Sequence, residues 1–147
     1  AREGKPSIAF PPMLKNKDCF DLSYRGLKTA VINYVHNHEQ VGSEYNKADV
    51  AASFQHAAVD ALINKAVRAA KMRGLKVITA GGGVVANGYL REFLERECAD
   101  NGLIAVLPPK KMCTDNAAMI AAEGYIRYKA GDFADLTLNA KARVELG

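Results

Sequence analysis

The sequence predicts an α/β domain, rich in helix and built on a small parallel sheet. Three observations carry this. The apolar periods run helix, helix, strand, helix, strand, helix. The two strand runs flank a helix, and such a βαβ unit demands a parallel pair. The first strand run ends in three consecutive glycines, within "TAGGGVVANGYLREFLE", at the strand-to-helix edge where open α/β sheets take their ligands.

The elements follow in order. Residues 1–20 read as irregular, punctuated by Pro6, Pro11 and Pro12. "LKTAVINYVHNHE", Leu27 to Glu39, places apolar residues at 27, 30, 31, 32 and 35, the spacing of an amphipathic helix. Gly42 and Ser43 end it. Asn46 is the expected N-cap of the next helix, with Asp49 three residues on in a capping-box position. Its apolar stripe is read as Val50, Phe54, Ala57, Ala58, Ala61, Leu62 and Ala66, and Gly74 closes it.

"LKVITAGG" reads as a buried strand, and "LIAVL", Leu103 to Leu107, as a second, ended by Pro108 and Pro109. Between them, Leu90, Phe93 and Leu94 form one face of a helix that stops at Asn101-Gly102. A last helix runs through "TDNAAMIAAEGYIRYKAG", capped by Thr114 or Asp115 and closed by Gly131. The tail from Asp132 has no strong period. Only two strands are clear, and a two-stranded sheet is marginal alone, which hints at a larger fold.

The bulk numbers exclude some classes. The chain has 147 residues, 49% hydrophobic and 24% charged, enough for one globular core. No apolar run approaches the roughly 18–20 residues of a membrane span. The start, "AREGKPSIAF", has no apolar signal region and begins with Ala1, so the chain is expected to be processed or part of a longer polypeptide. Cys19, Cys98 and Cys113 form no CxxC pair, so they read as reduced cytosolic thiols rather than a zinc ribbon. A net charge of +4 permits nucleic-acid contact without arguing for it. Aromatics at 7%, without Trp, make a base-stacking platform a poor fit.

Three stretches carry candidate chemistry. At Gly81, Gly82 and Gly83 the missing side chains let backbone N–H groups approach a phosphate or nucleoside, and Asn87 can cap the following helix or bond a ligand. The pattern is neither G-x-G-x-x-G nor a Walker loop, so a plain tight turn stands beside the ligand reading. In "CTDNAAM", Asp115 can cap a helix, ligate a metal or orient a water, and Cys113 reads as packing more readily than as a reactive thiol. In "YRGLKTA", Gly26 and Lys28 at a helix start suggest a phosphate contact, against an ordinary exposed lysine. His36, His38 and His56 lack metal-binding spacing and read as surface or partner-facing.

Together and in this order, "FDLSYRGLKTAV", "ITAGGGVVANGYLRE" and "CTDNAAMIAAEGY" resemble the C-terminal half of the TsaD/Gcp/Kae family, from about Phe20 to Tyr128. That family, formerly called glycoprotease, is understood as the tRNA N6-adenosine threonylcarbamoyltransferase. The resemblance implies the C-terminal lobe of an actin-like ATPase fold. It implies a nucleotide- and metal-binding domain over 21–131, with a tail over 132–147. It implies that Gly81, Gly82, Gly83 and Asn87 contact ATP, ADP or threonylcarbamoyl-AMP, and that Gly26 and Lys28 sit in a matching loop. Asp115 takes the place of a ligand to a divalent metal, Fe or Zn. The implied partners are tRNA and TsaB- and TsaE-like proteins, in the cytoplasm and without a membrane.

Two departures qualify the carry-over. The family's HxxxH metal pair is absent here, so the chain reads as a piece lacking the N-terminal lobe and inactive alone. Arg25 stands where the family has a small Ser. The alternatives are a non-catalytic nucleotide-binding or assembly module and, older, a metalloprotease; the lack of any HExxH-type pair argues against the protease.

Overall fold

The computed structural model describes residues 1–11 and 20–140. Residues 12–19, among them Pro12 and Cys19, and residues 141–147 lie outside the described residues. The chain divides into two compact units, Ala1–Cys113 and a second beginning at Thr114.

In the first unit, α1 is Tyr24–Val41 and α2 is Lys47–Met72. Strand β1, Val77–Thr79, leads through a 3-10 turn at Gly83–Ala86 into α3, Gly88–Asp100, and then β2, Ile104–Val106. The strands pair in parallel with Val77 opposite Ile104, Ile78 opposite Ala105 and Thr79 opposite Val106, so the expected βαβ unit is present. The second unit holds α4, Ala117–Ala130. The chain is therefore helix-rich with a two-stranded parallel sheet.

The helix ends obey their capping chemistry. Asn46 Oδ1 accepts the Ala48 N–H at 2.8 Å, which starts α2. Gly42, Gly74, Gly102 and Gly131 each take a positive φ just past a helix, where a Cβ would be strained. After α1 the Ser43 N–H returns to the His38 carbonyl at 2.9 Å.

The core lies between α2, α3 and one face of the sheet. Val59, Ile63, Val67 and Ala70 of α2 meet Leu90, Phe93, Leu94 and Cys98 of α3, with Leu103 beneath and Ile78 and Ala105 from the strands. Each large aliphatic or aromatic side chain buried there stabilises by about 1.5–3 kcal/mol.

Five expectations are corrected. The strands are not buried on both sides: Val77 is 44% exposed, Ile104 60% and Val106 49%. Helices α2 and α3 cover only the Ile78/Ala105 face. The stripe of α2 is turned from the expected one: Phe54 is exposed, and the buried line runs through Val59, Ile63 and Val67. Similarly Ile32, read as part of the apolar face of α1, is exposed, and Leu27 is that helix's buried residue.

Asp49 does not close a capping box either. Its Oδ1 accepts the Lys5 N–H at 2.8 Å, and Ser53 Oγ accepts the Ile8 N–H at 3.0 Å. These bonds dock the N-terminal segment along α2. Gly4 permits the approach, because a Cβ there would overlap the Ala48 carbonyl. Finally, α4 is capped by neither Thr114 nor Asp115. Asn116 Oδ1 accepts the Met119 N–H at 3.2 Å, and Asn116 Nδ2 donates to the Thr114 carbonyl at 2.9 Å.

Candidate nucleotide site

Strand β1 hands the chain to the glycines at its carboxyl end. Ala80 still bonds the Val106 carbonyl at 3.2 Å. Gly82 then turns the backbone with φ 96° and ψ 170°, a region closed to side chains with a Cβ. The Val85 N–H returns to the Gly82 carbonyl at 3.0 Å, and the Asn87 N–H to Val84 at 3.1 Å.

The helix begins at Gly88 with Asn87 as its cap, as the sequence suggested. A 3-10 turn intervenes, burying Val85 and leaving Val84 74% exposed. A Cβ at Gly81 would meet no atom within 4 Å, so packing inside this chain does not demand glycine there.

Asn87 fills the capping role. Its Oδ1 accepts the Leu90 N–H at 3.1 Å. Its Nδ2 donates to Gln55 Oε1 of α2, also at 3.1 Å. Arg91 on the next turn of α3 donates to the Val85 carbonyl at 3.3 Å, which ties the 3-10 turn down.

Beside this turn lies a cavity of about 410 Å³. Tyr24 at the start of α1 and Phe54 of α2 furnish aromatic rings, Val84 and Asn87 come from the turn, and Ala58 and Leu62 complete an apolar wall. The volume falls in the range of small-molecule sites, which are mostly apolar with a few placed polar groups. A second hollow of about 390 Å³ lies under Thr79, Gly81 and Val84. The strand edge, the glycine turn and a cavity thus coincide.

The other predicted residues fall elsewhere. Gly26 and Lys28 lie within the first turns of α1, with Lys28 exposed; Tyr24, two residues earlier, is the α1 residue in the cavity wall. Asp115 is an exposed residue of the second unit, next to the cap Asn116. Tyr24, Phe54 and Gln55 were not singled out as site residues by the sequence. Phe54 reads from its spacing as a core residue, and no spacing rule links Gln55 to Asn87.

Cys113 is buried, with its thiol toward the Pro109 carbonyl at 3.6 Å and Arg91 Nη1 at 3.8 Å, so it packs as expected. His56 Nδ1 bonds the Tyr89 hydroxyl at 2.7 Å, and burial pushes that phenol up from its ordinary value, with Arg96 opposing and Asp60 adding to the shift. His38 Nδ1 bonds the Tyr34 carbonyl at 2.8 Å. Among the described residues, no three His, Cys, Asp or Glu side chains gather to hold a metal. The described residues form no metal centre by themselves; Asp115 can furnish one carboxylate. Among the described residues, no helix is long and apolar enough to cross a membrane.

Comparison with known proteins gives one family. The model described as TsaD, tRNA N6-adenosine threonylcarbamoyltransferase, matches residues 1–122. Proteins of that same description are similar along nearly the whole chain. The one from Lactobacillus delbrueckii is 47% identical over 99% of this chain and 43% of its own length. The one from Bacillus cereus is 47% identical over the same shares. The one from Clostridium botulinum is 42% identical over 100% of this chain and 44% of its own. The chain thus spans less than half the length of these curated relatives.

Proposed function

The chain belongs to the TsaD family of tRNA N6-adenosine threonylcarbamoyltransferases, and on that premise we propose that it carries the adenine-nucleotide side of such an enzyme. The observation that supports this reading is the coincidence of cavity, glycine turn and Asn87 at the carboxyl end of β1. Tyr24 and Phe54 offer ring faces to a purine. Gly81, Gly82 and Gly83 leave the backbone open to a nucleotide, and Asn87 adds polar contacts. Gly26 and Lys28, in the first turns of α1 after the wall residue Tyr24, would serve the anionic part of the ligand beyond that wall.

The proposed reaction is acyl transfer. N6 of a tRNA adenosine attacks the carbamoyl carbon of threonylcarbamoyl-AMP. A C–N bond forms, the anhydride C–O bond to phosphate breaks, N6 loses a proton and AMP leaves. The chain's residues bind and orient the adenylate so that its carbonyl is presented to the attacking amine, which lowers the entropic part of the barrier. Asp115, in the second unit, would give one oxygen to a divalent Zn or Fe ion in the complete protein. An N-terminal lobe and TsaB- and TsaE-like proteins are the proposed partners.

A second reading, an assembly module without catalysis, draws on the exposed Val77, Ile104 and Val106 face of the sheet. Transfer of a labelled threonylcarbamoyl group from threonylcarbamoyl-AMP to unmodified tRNA by the full-length protein with its partners separates the two. Label in the tRNA that vanishes with Asn87→Ala supports the transferase. Nucleotide binding with no transfer, under conditions where a relative is active, would favour the module.

A further inference from the structure

A chain of hydrogen bonds across the glycine turn fixes the orientation of two side-chain amides. The Leu90 N–H can only donate, so the Asn87 atom 3.1 Å away is Oδ1. The other end of Asn87 is then its amide nitrogen, which donates. The Gln55 atom 3.1 Å from it must accept and is therefore Oε1. The remaining end of Gln55 is Nε2, with two N–H donors and no partner among the described residues. Gln55 and Asn87 both stand in the wall of the 410 Å³ cavity.

We infer that Gln55 is a binding residue of this site, and that its Nε2 donors, with the second Asn87 Nδ2 proton, meet an acceptor edge of the bound nucleoside. The inference rests on the nucleotide reading above. The Asn87 oxygen is aimed at the helix cap and the Gln55 oxygen at Asn87, which leaves the Gln55 Nε2 end for a ligand. The free hydrogens are both protons of Gln55 Nε2 and the second proton of Asn87 Nδ2. An unprotonated purine ring nitrogen or a ribose oxygen satisfies them. In an otherwise apolar wall, a ligand lacking such an acceptor would leave those donors unpaired, which is disfavoured.

The geometry also makes Gln55 a positioning residue. It holds the Asn87 carboxamide from α2, whose following turns bury Val59 and Ile63 in the core. Recognition is thus carried by α2, a rigid element, as well as by the turn.

The test is side-chain amide NMR on the full-length protein, labelled with ¹⁵N in glutamine and asparagine and titrated with adenosine, a probe without phosphates. Gln55→Glu assigns the Gln55 signal and keeps an acceptor for Asn87 while removing the donors. The expected result is a shift of both Gln55 Nε2 protons on adenosine addition. Gln55→Glu should weaken adenosine about tenfold with its thermal midpoint unchanged. Gln55→Leu should lose affinity and also shift the free Asn87 amide.

A Gln55 signal that stays still while Asn87 and the glycine amides move would overturn the Gln55 assignment and leave the nucleotide site standing. Full adenosine affinity in Gln55→Glu would do the same. No binding of adenosine or ATP by the unaltered protein would overturn both.

Discussion

Arg91 reaches back from α3 to donate to the Val85 carbonyl at 3.3 Å, so the turn beyond the glycines is held by the helix it precedes. The same guanidinium nitrogen faces the Cys113 sulfur at 3.8 Å, linking the loops that follow β1 and β2. Removing this charged donor leaves a partly buried carbonyl unpaired. Arg91→Ala should destabilise the fold by about 1–2 kcal/mol and raise amide exchange selectively at Val85 and Asn87. Urea denaturation with hydrogen exchange checks both. Unchanged exchange in the turn would show that Gly82 and Val85 hold it unaided.

The glycines separate a backbone need from a ligand need. Gly82 has φ 96°, so Gly82→Ala should cost about 1–3 kcal/mol whatever the site does. Gly81 has open space where a Cβ would project, so Gly81→Ala should fold with normal stability. If a nucleotide approaches that backbone, Gly81→Ala should nonetheless weaken ATP at least severalfold. Calorimetry and ATP titration on the pair of variants give the answer. Normal ATP affinity in Gly81→Ala would remove Gly81 from the site.

Asn87 has two duties, and two substitutions divide them. Asn87→Ala removes the cap and should destabilise α3 by about 0.5–2 kcal/mol. Asn87→Ser keeps a capping oxygen but loses the amide that joins Gln55, so it should recover most of that stability and none of the ligand affinity. A serine variant with full affinity would reduce Asn87 to a helix cap.

These two regions show what one sequence discloses. The glycine triplet, the caps Asn46 and Asn87 and the βαβ order were legible, because each rests on a local backbone requirement. Rotation of α2 was not. Its alanines at 57, 58, 61, 66 and 69 widen the apolar arc, so the period locates the helix without fixing which line is buried. The strands consist of apolar and β-branched residues on both faces, which hides the fact that only Ile78 and Ala105 are covered here. Thr114, Asp115 and Asn116 are all competent caps, and only the extended backbone of Asn116, φ −153°, decides among them. Gln55 was invisible because its partner lies 32 residues away.

Cys98 links the core to pH. Burial beside Leu94 and Leu103 pushes its thiol up from an ordinary value of 9.0, and the Glu97 carboxylate adds to the shift. The folded chain thus keeps the proton to higher pH than the unfolded chain, which ionises near its ordinary value. Stability from this group is full below that value and is lost as pH rises through the folded one. The urea midpoint should fall between about pH 8 and about pH 10, and Cys98→Ala should flatten that fall while lowering stability at neutral pH. An equally steep fall in Cys98→Ala would assign the effect to other groups, Tyr89 first among them.

Asp115 does not cap α4. Asn116 takes the Met119 N–H, so the neighbouring carboxylate is not engaged in starting α4. An exposed carboxylate with no capping duty contributes little to stability, and Asp115→Asn should leave the thermal midpoint of the metal-free full-length protein within about a degree. As a hard anionic oxygen it matters to a divalent cation far more than the neutral amide that replaces it. Asp115→Asn should therefore lower Zn or Fe content of the full-length protein about tenfold or more, and Asp115→Glu should restore part of it. Asn116→Ala gives the converse: α4 frays, seen as lost helicity, with metal content retained. Equal metal content in Asp115→Asn and the unaltered protein would take Asp115 out of the metal site and leave it a surface residue of the second unit.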